Sequence, residues 1–538
     1  MVVGKPALME ADVIVVGGGH NGLICAAYLA RAGVDTLLLE AAPDVGGCAS
    51  TVDDLGARFN ICNCDHTLVR AMPIIDELDL VEHGLRYVEP EAGSIWTFHD
   101  GSDPWVIFHD QDRTLGGLAE AYPDQADAYR RYLVDAMPVA RLALDMVRTP
   151  PSAAGFAATA FRRNPRGLAR LLEWSRRSLV EVLGRYFDDW RLIMPAVTVG
   201  PTVWGLAPET PGTGLAAIGY ATRHLVRSGR PVGGSGALTD AVRVAFEMAG
   251  GRVRCGARVD GLVIESGSVA GVRLVTGETL SAAVVVAACD PARVFVDWMD
   301  DPPASARRLA DRWRRQPVPE GYESKVDGVL AGLPVPRWAD LLRDRHPGLN
   351  PLGQTVVVCP SPEQLVEAHQ LRDKGRVASQ PTMLLDIPSV PDPAMAPEPG
   401  RHVLSLEALF TPYSLAGGWP GSSEPERWLN LWADLMEPGA LDLVTAWRAM
   451  TPDRYEADFA MHRGHTPSFG ASPLAVFFGR QPELTRYRTP VDGLYLSGAG
   501  TYPGAGIVGM AGRNVADTVL GDLSGSLNGS ASVLGVGR

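Results

Sequence analysis

The sequence predicts an α/β protein in which a parallel-sheet domain is assembled from non-contiguous segments and a mixed α+β domain is inserted between them. Three observations predict it. A short apolar run, a glycine turn and a helical pattern follow one another over Asp12–Glu40. A glycine turn leading into a helical pattern returns at Arg230–Ala249, and strand, glycine turn and helix return together at Leu494–Leu520. Between these blocks lie two long stretches, near 112–229 and 300–480, with a different texture.

Val13–Val16 is apolar and short enough to be a buried parallel strand. It breaks into Gly17-Gly18-Gly19-His20-Asn21-Gly22, and a helical pattern then runs to Gly33. Gly17, Gly19 and Gly22 have the G-x-G-x-x-G spacing: one glycine for the tight turn, one so that the backbone can approach a pyrophosphate, one for close packing of helix on strand. His20 and Asn21 complete the turn at the helix N-terminus, where phosphates would sit. Thr36–Leu39 reads as a second buried strand ending in Glu40, ~20 residues past the glycines, where a carboxylate can take a ribose 2′-OH and disfavours a 2′-phosphate. Strand before, helix after and acid at the next strand end make this a Rossmann-type dinucleotide-binding unit.

Length and composition bound the rest. A chain of 538 residues is too long for one simple core at roughly 150 residues per domain. Its 46% apolar and 21% charged residues are those of a globular protein. A net charge of -13 and a pI near 5.4 argue against a nucleic-acid partner, which would want a basic face. The seven cysteines are scattered, with no C-x-x-C, and read as reduced thiols; Cys62 and Cys64 read as small buried residues. The segment before Asp12 lacks the apolar core of a signal peptide, and no run reaches the ~18 apolar residues of a membrane span. A cytoplasmic protein is expected.

Further along, Gly46-Gly47 again permit close backbone approach to a ligand, which suits a long cofactor. Asp65-His66 is a candidate carboxylate-oriented imidazole, weighed against a satisfied polar pair in a loop. Leu118–Met137 and Leu168–Phe187 carry apolar residues at helical spacing. Arg162, Arg163, Arg166, Arg170, Arg176 and Arg177 interleave with Leu168, Leu171, Leu172 and Trp174; a solvated helix face is favoured, and peripheral contact with a membrane is the other reading. Ala237–Ala249 reads as a helix, and Val253–Cys289 alternates as strands with Gly261, Gly267, Gly271 and Gly277 as turns. Prolines crowd 388–399, which excludes helix and central strand there. The final strand ends at Ser497; a helix beginning near Gly506 and stopping at Gly521 would aim its positive end at the first motif's ligand. From Ser524 a Gly/Ser-rich tail is expected to be disordered.

The G-x-G-x-x-G spacing occurs at Gly17–Gly22 and again at Gly504–Gly509, but only the first is followed by a second strand ending in an acid, so separate sites for FAD and a nicotinamide are disfavoured, and the cysteine pair of the disulfide reductases is absent from this sequence. One FAD explains three separated glycine sites: pyrophosphate at Gly17–Gly22, a contact at Gly46-Gly47, and the ring near Gly506, where a helix N-terminus stabilises the reduced flavin. DVIVVGGGHNGL, the following GG, RPVGGSGALTDAV and GLYLSGAGTYPGAGIVGMAGRN resemble the phytoene desaturase-like branch of the flavin amine oxidase superfamily. CDHTLV, LVEAHQL, LLDIPSVPDPAMAP and RYRTPVDGLYLSGAGTYPG are most similar to desaturase-type carotene ketolases and to pyridine nucleotide-disulfide oxidoreductase domain-containing proteins. The resemblance implies non-covalent FAD held by Gly17, Gly19, Gly22, Glu40, Gly46, Gly47, the main chain of Val259, Gly498 and Gly509, with His20, Asn21 and Ala499 beside them. Cys48 stands where an arginine often follows the glycine pair, and Ala499 where many flavoproteins have an acid, so ribityl contacts are expected from backbone or from elsewhere in the chain.

On this basis residues 10–75, 230–300 and 481–523 form the FAD-binding domain, 76–229 and 301–480 the substrate domain, and 524–538 the tail. The expected activity is oxidation of an apolar, carotenoid or other isoprenoid substrate by hydride transfer to flavin N5, with oxygen or a quinone accepting the electrons. His66, oriented by Asp65, is the nominated base, and Lys325 a polar contact. A flavin amine oxidase and a non-redox lipid- or prenyl-binding protein on the same fold are the rivals. No metal is expected.

Overall fold

The computed structural model describes residues 9–62, 64–148, 164–198, 207–317, 320–465 and 481–533. A five-stranded parallel sheet is ordered Leu494–Leu496, Val284–Ala287, Val13–Val16, Thr36–Leu39, Arg252–Arg254. Val13 pairs with both Val284 and Thr36, so the first strand is central. The runs Val13–Val16, Thr36–Leu39 and Val284–Ala287 are wholly buried, as expected where both faces of a parallel sheet are covered. Val13 and Val15 point to one face, under the helices His20–Arg31, Gly236–Met248 and Met510–Val533. Ile14 and Val16 point to the other, against a three-stranded antiparallel meander, Val259–Glu265, Ser268–Leu274 and Thr279–Ser281.

Two glycines expected as turns lie inside that meander. Gly261 pairs with Arg273 and Gly271 with Val263, beside shifts in register. Gly271 has φ +151°, and a Cβ there would lie 2.1 Å from the Leu280 carbonyl oxygen; it admits a neighbouring strand rather than reversing the chain.

The expected helices also differ in extent. Leu118–Met137 spans two, Gln111–Ala121 and Pro123–Val147, because Pro123 lacks the N–H needed to continue the first and is suited to start the second. Leu168–Phe187 divides into Pro165–Trp174 and Leu179–Leu183, the latter opened by a capping box of Ser178 and Glu181. The last helix begins at Met510, not near Gly506, because Gly504, Gly506 and Gly509 all hold positive φ. It passes Gly521 and continues to Val533, into the stretch expected to be disordered; a glycine costs a helix only about 1 kcal/mol.

The second large sheet has seven strands, ordered Val444–Met450, Glu323–Leu330, His402–Leu409, Met383–Asp386, Val356–Cys359, Ser94–Phe98, Trp105–Ile107. It is antiparallel except where Val356–Cys359 runs beside Ser94–Phe98. One face, with Val326, Leu404, Leu406 and Met383, packs on Trp419, Trp428 and Trp432. The opposite face meets the helical core around Tyr129, Tyr132 and Tyr220 at one end. At the other end Val329 and Val403 meet Ala57 and Phe59, from the hairpin that follows the second glycine loop.

Of the basic stretch, Arg162 and Arg163 lie outside the described residues. Arg170 pairs with Asp135 and Glu173, and Arg177 and Arg185 also reach Glu173. Among the described residues, no helix is long and apolar enough to cross a membrane.

Candidate active site

The three glycines of the first motif are required for three different reasons. Gly17 holds φ +106°, and a Cβ there would lie 2.7 Å from the Ala288 carbonyl oxygen. A Cβ on Gly22 would lie 1.9 Å from the Gly17 carbonyl oxygen, so the helix can approach the strand only without one. A Cβ on Gly19 meets nothing within 4 Å; this glycine borders open space at the helix N-terminus. Gly19 is the N-cap and makes no side-chain cap bond, which leaves the first-turn amides turned towards that space. The second glycine loop closes onto the first: Gly46 N–H donates to the Gly18 carbonyl at 2.8 Å, and a Cβ on Gly47 would lie 3.2 Å from the Gly19 Cα. Close approach at Gly47 is therefore to backbone of the first loop.

Glu40 is held as the second strand ends. Its Oε2 accepts the Gly18 N–H at 2.6 Å and its Oε1 the Ala42 N–H at 2.7 Å. The Glu40 carbonyl takes the Ala257 N–H at 2.8 Å, which brings the chain leading into Val259 alongside. Val259 itself is buried in the core below the sheet. The C-terminal glycine segment reaches the first motif from the other side: the Gly506 backbone stands beside the His20 ring, whose Nε2 is buried and unpartnered. Burial lowers the His20 pKa to about 4, against the raising influence of the Gly506 backbone, so the ring is neutral. Gly498 and Ala499 follow the edge strand directly, beside the buried and unpartnered Ser497 hydroxyl. Gly509 faces the core: a Cβ there would meet Ile74 and Ile24 at 2.6 and 2.8 Å, so its position is explained by packing. Asn21 lies under the last helix, where a Cβ on Gly512 would be 2.2 Å from the Asn21 carbonyl oxygen.

Asp65 does not orient His66. The His66 Nδ1 lies 3.0 Å from the Tyr87 hydroxyl and Nε2 2.7 Å from the Ser235 hydroxyl, with the ring wholly buried. Burial and the nearby His20 lower its pKa to about 3, so His66 is a weak base with both nitrogens engaged. Asp65 points the other way, to Arg230 Nε at 2.7 Å, and Arg230 also holds Asp386 at 2.5 Å and Thr355 at 2.9 Å. This buried ionic joint ties the segment after the hairpin to two strands of the seven-stranded sheet. Cys64 lies against it, 3.7 Å from Asp386.

The sheet presents a row of ionisable groups to the glycine loops, of which sequence alone singles out only Lys325. Lys325 and Glu407 are paired across neighbouring strands, and Glu323 and Asp327 flank Lys325 on the same face. Lys325 is fully buried; its Nζ is 2.7 Å from Asp327 Oδ1 and donates to the Asn60 carbonyl. Asp327 is held from its other side by Arg448 at 3.0 Å. The Cys62 thiol lies 3.5 Å from Glu323 Oε1 and packs against the same apolar cluster as Cys48, which follows the second glycine pair. The row therefore adjoins the dinucleotide loops.

Residues 15–71 match the model of the NAD(P)-binding Rossmann-like domain. The chain is 30% identical, over 96% of its length and 94% of the relative's, to pyridine nucleotide-disulfide oxidoreductase domain-containing protein 2 of Mus musculus. The chain belongs to this family. It is also 26% identical to a component of the limonene dehydrogenase of Castellaniella defragrans, over 96% of this chain and 95% of that one. A lycopene-forming phytoene desaturase of Pseudescherichia vulneris is 24% identical, over 92% and 96% of the two chains. Among solved structures, putrescine oxidase bound to putrescine shares the fold, with a TM-score of 0.59 at 17% identity over 96% of this chain and 100% of the other. The family member described here is thus an FAD-dependent oxidoreductase of the phytoene desaturase-like branch.

The residues present fit FAD. Open space and uncapped first-turn amides meet at Gly19, His20 Nε2 and Ser497 Oγ are buried polar atoms without a partner, and Glu40 offers its remaining lone pairs to a ribose hydroxyl. Gly17–Gly22 would hold the pyrophosphate, Glu40 the adenosine ribose, and the Ser497–Ala499 backbone the ribityl end. FAD supplies the hydride acceptor when bound.

Proposed function

We propose that this protein dehydrogenates an apolar, isoprenoid-like substrate, with hydride leaving an activated C–H bond for flavin N5 and oxygen or a quinone taking the electrons. The observation that carries the proposal is similarity over more than nine-tenths of the chain to two relatives named for hydrocarbon terpenes, limonene and phytoene. His66 has neither a free ring nitrogen nor a useful pKa. Orientation of the C–H bond and exclusion of water would lower part of the barrier. The large buried side chains of the seven-stranded sheet and its helices, such as Trp96, Trp105 and Tyr220, supply a rigid apolar frame.

The test is anaerobic mixing of the FAD-loaded protein with a panel of polyenes and terpenes and, separately, a panel of amines, following the flavin absorbance. Bleaching by an apolar hydrocarbon is expected. Bleaching by amines alone would overturn the proposal in favour of an amine oxidase, and no bleaching by either would favour a binding role.

A further inference from the structure

We propose that Glu407 is the base that takes the proton from the substrate, with Glu323 and Lys325 setting its charge. The proposal rests on the dehydrogenation above, which releases one proton for each hydride.

The geometry starts from strand register. Glu407 lies directly across from Lys325, and residues 323, 325 and 327 share one face of their strand. The opposite face of the same two strands is occupied by Val326, Leu330, Leu404, Leu406 and Ala408, so the ionisable row is confined to the face turned towards the glycine loops. Within the row most groups are spoken for. Lys325 is committed to Asp327 and the Asn60 carbonyl, Asp327 also to Arg448, and Glu323 receives the Cys62 thiol. Glu407 is the exception: it is only 8% exposed, and among the described residues nothing hydrogen-bonds its carboxyl. A carboxyl so largely buried and without a protein hydrogen bond is left to another molecule, water or substrate, to meet it.

Every charged or titratable group facing Glu407 bears on its proton. Glu323, Lys325 and Asp327 stand on the neighbouring strand, Asp386 on the strand beyond, and Cys62 and Tyr455 on the segments packed over the sheet. Burial dominates and the Glu323 charge adds to it; against the pull of Lys325 they raise the Glu407 pKa to about 8. Glu407 is thus a neutral acid in the resting site near pH 7, compatible with an apolar substrate, and its carboxylate is a far stronger base than an exposed one. His66, at about 3, has the opposite character.

In the step proposed, a C–H bond beside the carbon that loses hydride breaks and an O–H bond forms on Glu407. The electron pair of that C–H bond becomes the second bond of the new C=C. The hydride departs with its own pair to the oxidised flavin, so charge and electrons balance. Solvent later takes the proton from Glu407. Help from a well-placed base is worth roughly 10²–10⁴-fold.

The experiment uses the full-length, FAD-loaded protein and its Glu407→Gln and Glu407→Asp variants, with flavin content measured first. The wild-type kcat is expected to rise with pH and level off above about 8. Glu407→Gln should lower kcat at least about 100-fold with KM little changed, and Glu407→Asp should keep part of the rate. Independently of turnover, infrared difference spectra between acid and alkaline pH should show a carboxylic-acid C=O band titrating near pH 8 in the wild type, shifted in the Asp variant and missing in the Gln variant. A Gln variant with wild-type kcat, or a wild type with no carboxyl titrating near that pH, would overturn the proposal. The infrared result needs no substrate, so it separates failure of the Glu407 assignment from failure of the dehydrogenation reading, which the flavin bleaching decides.

Discussion

Gly19 and Gly22 offer a sharp contrast, because one borders open space at the helix N-terminus and the other borders only protein. In Gly19→Val the new side chain enters open space, and the backbone at φ -68°, ψ 170° is extended and open to any residue. Loss of a tolerated N-cap glycine should cost the fold no more than about 1 kcal/mol. The same side chain stands where a pyrophosphate meets the first-turn amides. Hydrogen bonds to a charged group are worth about 1.5–3 kcal/mol each, so losing two weakens FAD binding by roughly 10²–10⁴-fold. In Gly22→Ala one methyl falls 1.9 Å from the Gly17 carbonyl oxygen, a contact that must push the helix off the strand and disturb the fold with or without cofactor. The assay is the flavin-to-protein absorbance ratio after gel filtration, paired with thermal melts of both apo-proteins so that bound ligand does not inflate stability. Gly19→Val should melt with the wild-type apo-protein and carry little flavin; Gly22→Ala should melt early. A Gly19→Val protein with full flavin content, or a Gly22→Ala protein as stable as wild type, would refute the division of roles.

Three further outcomes follow from the buried charges. Arg230→Met leaves Asp65 and Asp386 facing each other without their cation and should cost about 3–5 kcal/mol in urea unfolding. Burial pushes Asp65 up, but Arg230 and Thr355 hold it below its ordinary 3.8, so the wild type loses this support as pH falls and the gap between the two proteins should narrow below about pH 4; a constant gap would count against the ion pair. His66→Ala removes the ring that Tyr87 and Ser235 engage and should cost roughly 1–3 kcal/mol, while kcat per bound flavin falls less than about tenfold; a loss beyond about 100-fold with full flavin would restore His66 as the base. Because the Glu407 pKa is raised from 4.5 to about 8, the folded state keeps a proton that the unfolded chain has shed, and wild-type stability should decline between those values. Glu407→Gln should show a shallower decline in melts at pH 5 and pH 8, and an equal decline would locate the titration elsewhere.

The misreadings share a cause. Asp65 and His66 look like a pair because they are adjacent, but adjacent residues in extended chain point to opposite sides. One therefore reaches Arg230 and the other Ser235. Gly261 and Gly271 look like turns because a glycine that ends a strand and one that admits a neighbouring strand are the same letter; the distinction lies in the Leu280 carbonyl 2.1 Å from the missing Cβ of Gly271. The helix at Met510 starts late because three positive-φ glycines precede it, a conformation that composition permits but does not impose.

What the sequence by itself determined was the dinucleotide half, because its signals are local. Strand, turn, helix and acid lie within thirty residues, and each glycine answers a short-range need that spacing reveals. Only the tertiary structure decided which ionisable groups stand together beside the glycine loops. Glu323 and Lys325 come from one strand, Glu407 from the strand that pairs with it across a long excursion, and Cys62 from the far side of the glycine loops. No period or motif joins them, since what brings them together is the register of one antiparallel pair and the burial that raises Glu407.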